Sequence, residues 1–117
     1  MANENKIALI TGSHRGIGFE TARQLGQQGV RVIVTARTER EAAEAAGELR
    51  SEGIEAEALV LDVTKAADRA VAAKFVESRY GKLNILVNNA GVAPADGIIG
   101  LRASESTEEE LQRRLQH

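Results

Sequence analysis

"KIALITGSHRGIGFETARQLGQQG", residues 6–29, decides the fold, because a short apolar run passes within it into a helical stretch through a cluster of glycines. The run at 6–11 is too short for a buried helix and rich enough in Ile and Leu for a strand covered on both faces. The stretch after the cluster closes on Gly29, a natural C-cap. A helix that begins directly after a parallel strand points unsatisfied N–H groups and a partial positive charge at the carboxyl edge of the sheet, a place suited to a phosphate group. Gly12 lets the chain turn sharply out of the strand. Gly16 removes the side chain where a pyrophosphate would press on the backbone, and Gly18 lets the helix pack tightly on the strand. The spacing is G-x-x-x-G-x-G rather than G-x-G-x-x-G, a weak signal alone that gains from the strand before it and the helix after it.

The same alternation continues outward. Residues 30–36, 55–63 and 83–89 are further short runs of Val, Ile and Leu, and 38–53 is a helical stretch closing on Gly53. In the third connection, Thr64 reads as an N-cap, Gly81 as the stop, and Ala67, Val71 and Phe75, with Ala72 and Val76 beside them, as the inward stripe. Strand and helix alternating over short connections require parallel pairing and right-handed crossovers. The expectation is an α/β, doubly wound sheet of four parallel strands in the order 3-2-1-4, with helices on both faces, in a single domain spanning 1–117. Beyond Gly91 comes a looser stretch with Pro94. A last helix follows, opened by a capping box of Ser106 with Glu109 or Thr107 with Glu110 and carrying Leu111 and Leu115.

Composition narrows the function. With 117 residues, 43% hydrophobic, the chain suffices for one modest core. A net charge of -2 argues against a nucleic-acid partner, which needs a basic surface. No cysteine and two histidines leave no thiolate chemistry and too few histidines for a histidine metal cluster. Nothing in "MANENK" resembles a secretory signal and no run reaches membrane-spanning length, so the expected location is cytoplasmic, with no membrane partner.

Thr11 to Gly18 match, position by position, the T-G-x-x-x-G-I-G pattern of the short-chain dehydrogenases/reductases, and the chain resembles that family over nearly its whole length. "NNAG", Asn88 to Gly91, follows the fourth strand as the family's second motif does, and "LDV" ends the third strand where the family places an Asp that meets the adenine ring. "VTAR" and "YGKLNILVNNAG" look most like the carbonyl-reductase branch. The resemblance implies a Rossmann-like fold binding a dinucleotide through Gly12, Ser13, His14, Arg15, Gly16, Ile17, Gly18, Arg37, Asp62, Val63, Asn89, Ala90 and Gly91.

The choice of cofactor is read from the end of the second strand, where NAD sites usually carry an acid for the ribose 2′-hydroxyl. Ala36 stands there instead, followed by Arg37, and Arg15 precedes Gly16. Two guanidinium groups converging on a 2′-phosphate favour NADP(H) over NAD(H); two solvated surface arginines are the other reading. His14, in the same turn, is either a further polar contact or an exposed loop residue.

In the resembled family, hydride transfer depends on a Tyr-x-x-x-Lys pair, a Ser before it and an Asn on the helix after "NNAG". None can be placed here. Tyr80 is followed by Gly81, Lys82, Leu83 and Asn84, so its lysine is misplaced and the residue reads as packing. Ser104 and Ser106 read as loop and cap. The expectation is therefore a truncated member of the family: an NADP(H)-binding portion with no catalytic residues, whose turnover stays open. The alternative is a non-catalytic dinucleotide-binding or protein-interaction module. Without the family's further strands, "LNILV" is expected to form an exposed apolar edge, so that this edge and the last helix offer a route to self-association.

Overall fold

The computed structural model describes residues 6–89. Four strands, β1 (Ile7–Ile10), β2 (Arg31–Ala36), β3 (Ala56–Val60) and β4 (Ile85–Val87), alternate with helices α1 (Gly16–Gln27), α2 (Glu39–Ser51) and α3 (Ala66–Tyr80). The strands form one parallel sheet in the order β3-β2-β1-β4, as the alternation predicts. Outside the described residues lie Ala90 and Gly91 of the second motif, the loop with Pro94, Ser104 and the last helix with its capping box.

Register decides which side chain meets which layer. Ala8 pairs with Val32 and Ile85, and Val32 with Ala56, so these residues share one face. There they form a core with Ala22 and Leu25 of α1 and Ala45, Ala46 and Leu49 of α2. Leu9, Ile33 and Leu86 lie on the other face, packed with Ala72 and Val76 of α3. β1 is buried along its whole length, as expected of a parallel strand with helices on both sides. A glycine follows each helix at positive φ, at Gly29, Gly53 and Gly81, so the three expected stops are present.

Three local expectations change. Val71 is 61% exposed and Ala67 is also exposed, so the inward stripe of α3 is Ala72 and Val76 flanked by Ala73, Phe75 and Tyr80. Small apolar residues surround much of this helix, and contact with the sheet, not periodicity, chooses among them. Thr64 does not cap α3, whose N-cap is Lys65. Its amide and hydroxyl instead donate to Asp62 Oδ1 at 3.0 and 2.6 Å, because an ionised carboxylate is the stronger acceptor. Finally, the side chains of β4 are at most 3% exposed. What this strand leaves unpaired among the described residues is a backbone edge, not an apolar surface.

Gly26 has a packing role that spacing did not reveal. A Cβ there would stand 2.3 Å from Ile54 Cγ2, and Ile54 is a buried, β-branched residue with little freedom to move. In an exposed helix, Gly→Ala gains about 1 kcal/mol of propensity. We expect Gly26→Ala to lose stability instead, by about 1–3 kcal/mol of overpacking. Urea denaturation checks the sign, and Ile54→Ala should be less damaging in the Gly26→Ala background than alone.

Candidate functional site

The carboxyl ends of the strands meet at the turn 11–15, and the turn is held from two sides. On the β2 side, Gly12 N donates to Thr35 Oγ1 at 3.0 Å, and that hydroxyl donates to Ile10 O at 3.0 Å. Ser13 N donates to Thr35 O at 3.1 Å, while Ser13 Oγ accepts from Thr35 N at 2.8 Å and donates to Ile10 O at 2.6 Å. On the β4 side, Thr11 N donates to Val87 O at 3.0 Å, and Asn89 Nδ2 donates to Gly12 O at 3.0 Å. A Cβ on Gly18 would lie 2.6 Å from that Asn89 nitrogen and 2.7 Å from Gly12 O. The third glycine of the motif is therefore required by the junction of β1, α1 and β4.

The turn delivers the N-terminus of α1 to the sheet edge without a protein anion on it. Its N-cap, Arg15, makes no side-chain capping bond, and the first turn contains no acidic residue. α2 differs: Thr38 Oγ1 accepts from Glu41 N, and Glu39 and Glu41 lie in its first turn. Among the described residues, then, no side chain caps the orphan donors and partial positive charge of α1. Gly16 has φ +68°, and a Cβ there would meet no atom of the described residues within 4 Å.

Beside this terminus lies a cleft of about 230 Å³ lined by Gly12, His14, Ala36, Arg37, Leu61, Asp62, Val63, Thr64 and Asn89. Six of the residues singled out in sequence, Gly12, His14, Arg37, Asp62, Val63 and Asn89, are brought together here from four separate segments. The Asp62 carboxyl is held below the usual aspartate range by the Thr64 hydroxyl and amide, and the Arg37 and Lys65 charges act in the same direction against the cost of desolvation. The Asp62 amide donates to Asp68 Oδ2 at 2.9 Å, which fixes the loop after β3. Arg15 is exposed at the start of α1, and Ile17 is 70% exposed on its first turn. Ser13 is fully buried, and its amide and hydroxyl bonds all run to Ile10 and Thr35. Ala90 and Gly91 lie outside the described residues.

Thr35, Leu61 and Thr64 belong to the site but were not read from sequence. Thr35 is one of several Val, Ile and Thr residues in a buried strand, and its alternation marks a buried position without revealing the turn it braces.

Tyr80 lies at the end of α3, where Glu57 faces it from β3. Its hydroxyl donates to Glu57 Oε1, its ring meets Phe75 edge-on at 6.5 Å, and the Arg31 and Arg79 guanidinium groups each stand 5.7 Å from its centroid. Burial, and then the bond to Glu57, pushes the phenol above its ordinary value. That is opposite to the lowering an acid catalyst needs, and it agrees with the packing role.

A doubly wound parallel sheet with a glycine turn and an uncapped helix N-terminus at its carboxyl edge defines a nucleotide-binding type of α/β architecture. The chain belongs to the short-chain dehydrogenase family, whose model matches residues 6–116. It is 47% identical over 97 residues to (-)-isopiperitenone reductase of Mentha piperita, covering 80% of this chain and 31% of that protein. With (+)-neomenthol dehydrogenase of Arabidopsis thaliana it is 45% identical over 97 residues, covering 79% and 33%. A metagenomic short-chain oxidoreductase (SDR) solved in complex with NADP superposes with TM-score 0.72 at 37% identity, covering 79% of this chain and 42% of that one. The chain thus spans about a third of the length of these two curated relatives.

Two measurements test the local chemistry. Thr35→Val should cost about 1–3 kcal/mol in urea denaturation, because the Gly12 amide loses its buried acceptor, while Thr35→Ser keeps the hydroxyl and costs less. Tyr80 is the single tyrosine in a chain without tryptophan, so phenolate absorbance reports it directly. It should titrate above 10.0 in the folded protein and move back part of the way in Glu57→Gln, since burial remains. A raised folded value means that this stabilisation is complete below the unfolded value and is lost as pH rises through the folded one.

Proposed function

We propose that this chain is the NADP(H)-binding portion of a short-chain dehydrogenase/reductase-type oxidoreductase, with residues 1–117 forming one dinucleotide-binding unit that works in the cytoplasm. The observation that carries the reading is the convergence of Gly12, His14, Arg37, Asp62, Val63 and Asn89 on one cleft beside the uncapped N-terminus of α1. The site fits the cofactor on its own terms: among the described residues nothing would meet a Cβ on Gly16 and no acidic residue stands in the first turn of α1, which suits a pyrophosphate.

In this reading, Gly12, Arg15, Gly16, Ile17 and Gly18 form the pyrophosphate turn, and Ser13 holds its shape from within. Asp62 and Val63 take the adenine side, and Arg37 with Arg15 takes the 2′-phosphate. Ala36, buried and uncharged at the end of β2, leaves the phosphate unopposed where a carboxylate would repel it. Asn89 lines the cleft and is assigned to the cofactor with Ala90 and Gly91, the latter two from the motif alone. The cofactor supplies a hydride for carbonyl–alcohol interconversion; the residues of this chain bind and orient it. Tyr80 serves packing, so no proton donor is assigned. The reductase and dehydrogenase names of the relatives, and the NADP held by the similar structure, support the oxidoreductase class and the choice of cofactor.

A second reading, association of the chain with itself or another protein along the backbone edge of β4, is favoured by the pairing of that strand with β1 alone among the described residues. Light scattering that returns a monomer at all concentrations counts against it.

Titration followed by reduced-nicotinamide fluorescence tests the main reading. NADPH should bind more tightly than NADH, and Arg37→Ala should weaken NADPH about tenfold while leaving NADH nearly unchanged, a charge-assisted bond discounted for exposure. No response to either nucleotide at millimolar concentration would overturn it.

A further inference from the structure

Two neighbouring charged residues of α3 reach back to the wall of the cleft without lining it themselves. Asp68 Oδ2 accepts from the Asp62 amide at 2.9 Å, and Arg69 Nη1 donates to the Val63 carbonyl at 2.7 Å. Asp62 and Val63 are successive residues of the cleft lining, to which neither Asp68 nor Arg69 belongs. The amide of the first and the carbonyl of the second are the two ends of one dipeptide. An anion and a cation side by side on the helix therefore grip that dipeptide at both ends.

The other bonds of this loop do not do the same work. Lys65 N donates to Asp62 O at 3.0 Å, and Thr64 donates twice to Asp62 Oδ1, so these contacts close the loop on itself. At its start, Leu61 N donates to Ala36 O at 2.9 Å and ties it to β2. Asp68 and Arg69 tie the far side to α3, and the arm they extend from is rigid, because Ala72 and Val76 are fully buried with Leu9, Ile33 and Leu86 of the sheet. Helix formation alone does not account for the pair. Asp68 is the acid of the first turn of α3, yet its Oδ2 is spent on an amide outside the helix. A cation as near a helix N-terminus as Arg69 gains nothing from the dipole, and the bond to Val63 offsets that disadvantage.

We propose that Asp68 and Arg69 are positioning residues for nucleobase recognition, acting through the backbone of Asp62 and Val63. The inference rests on the reading above, in which Asp62 and Val63 take the adenine side, and it concerns two residues which that reading does not use. An ionised carboxylate only accepts hydrogen bonds, so the Asp62 wall suits a base that presents an amino group and disfavours one that presents an oxo group there. Such discrimination requires the wall to be held within about 0.5 Å of its place, and the two bonds from α3 hold it.

Fluorescence titration of the full chain with NADPH and with its hypoxanthine analogue, which carries an oxo group in place of the adenine amino group, reads the discrimination directly. NADPH should bind more tightly. Asp68→Ala and Arg69→Met should each lower the affinity ratio of the two ligands by about threefold to tenfold, with the affinity for the hypoxanthine analogue kept as the measure of an intact fold. Asp68→Asn retains an acceptor for the Asp62 amide and should keep most of the ratio, whereas Arg69→Met retains the apolar stem and loses the donor. A merely structural role would weaken both ligands alike and leave the ratio unchanged. That result, an unsubstituted chain that does not discriminate, or Asp68→Asn as damaging as Asp68→Ala overturns the proposal and leaves the cofactor reading standing. No binding of either nucleotide overturns both. If Asp68→Ala does not fold, Arg69→Met decides the matter by the same ratio.

Discussion

Asn89 Nδ2 donates to the carbonyl of Gly12 across 77 positions of sequence, through the space that a side chain on Gly18 would fill. This contact joins the ends of β1 and β4 and the first turn of α1 at one point. Thr35 completes the junction from β2, since its hydroxyl holds both the Gly12 amide and the Ile10 carbonyl. A glycine turn is entropically expensive to order, and here three strands share the task of ordering it. Rigidity at this point holds the backbone donors at the start of α1 in a fixed place at the sheet edge.

The electrostatics of the cleft follow from two helices that begin differently. α2 satisfies its own N-terminus with Thr38, Glu39 and Glu41, so its dipole is spent within the chain. α1 has Arg15 at its start and no acid in its first turn, so its dipole faces outward. His14 immediately precedes the N-cap of α1, lines the cleft and faces Glu41 in the first turn of α2. Beside the cleft the backbone donors of α1 and the Arg37 guanidinium supply positive potential, and the carboxylates of Asp62 and Glu41 are both engaged with threonines.

Much of the architecture was legible because parallel α/β units write themselves locally. Short runs of branched apolar residues, helices closed by glycine and brief connections leave few ways to wind the chain, and 3-2-1-4 is among them. Of the residues singled out in sequence, Gly12, Ala36 and Arg37 come together at the cleft, and Gly18 is required by the close approach of Asn89 and the Gly12 carbonyl. Other features were hidden because their cause is a distant neighbour. Gly26 carries no signal in helical spacing, and its role lies in the close approach of Ile54. Ser13 looked like a ligand contact by its place in the motif, yet its polar atoms turn inward. The stripe of α3 was displaced because Ala67 and Val71 satisfy helical spacing as well as Ala72 and Val76 do.

By itself, then, the amino-acid order determined the elements, their parallel winding and the strand end at which an anion could be held, since backbone geometry and hydrophobic periodicity act over a few residues. The tertiary structure alone decided which donors are spent inside the fold and which remain for a ligand. It buried the Ser13 hydroxyl, turned Thr64 from a helix cap into the partner of Asp62, locked Tyr80 onto Glu57 and set His14 against Glu41. Each of those outcomes depends on a hydrogen bond or charge between segments far apart in the chain, and the strength of such a contact is fixed by distance and burial, which have no signature in local sequence.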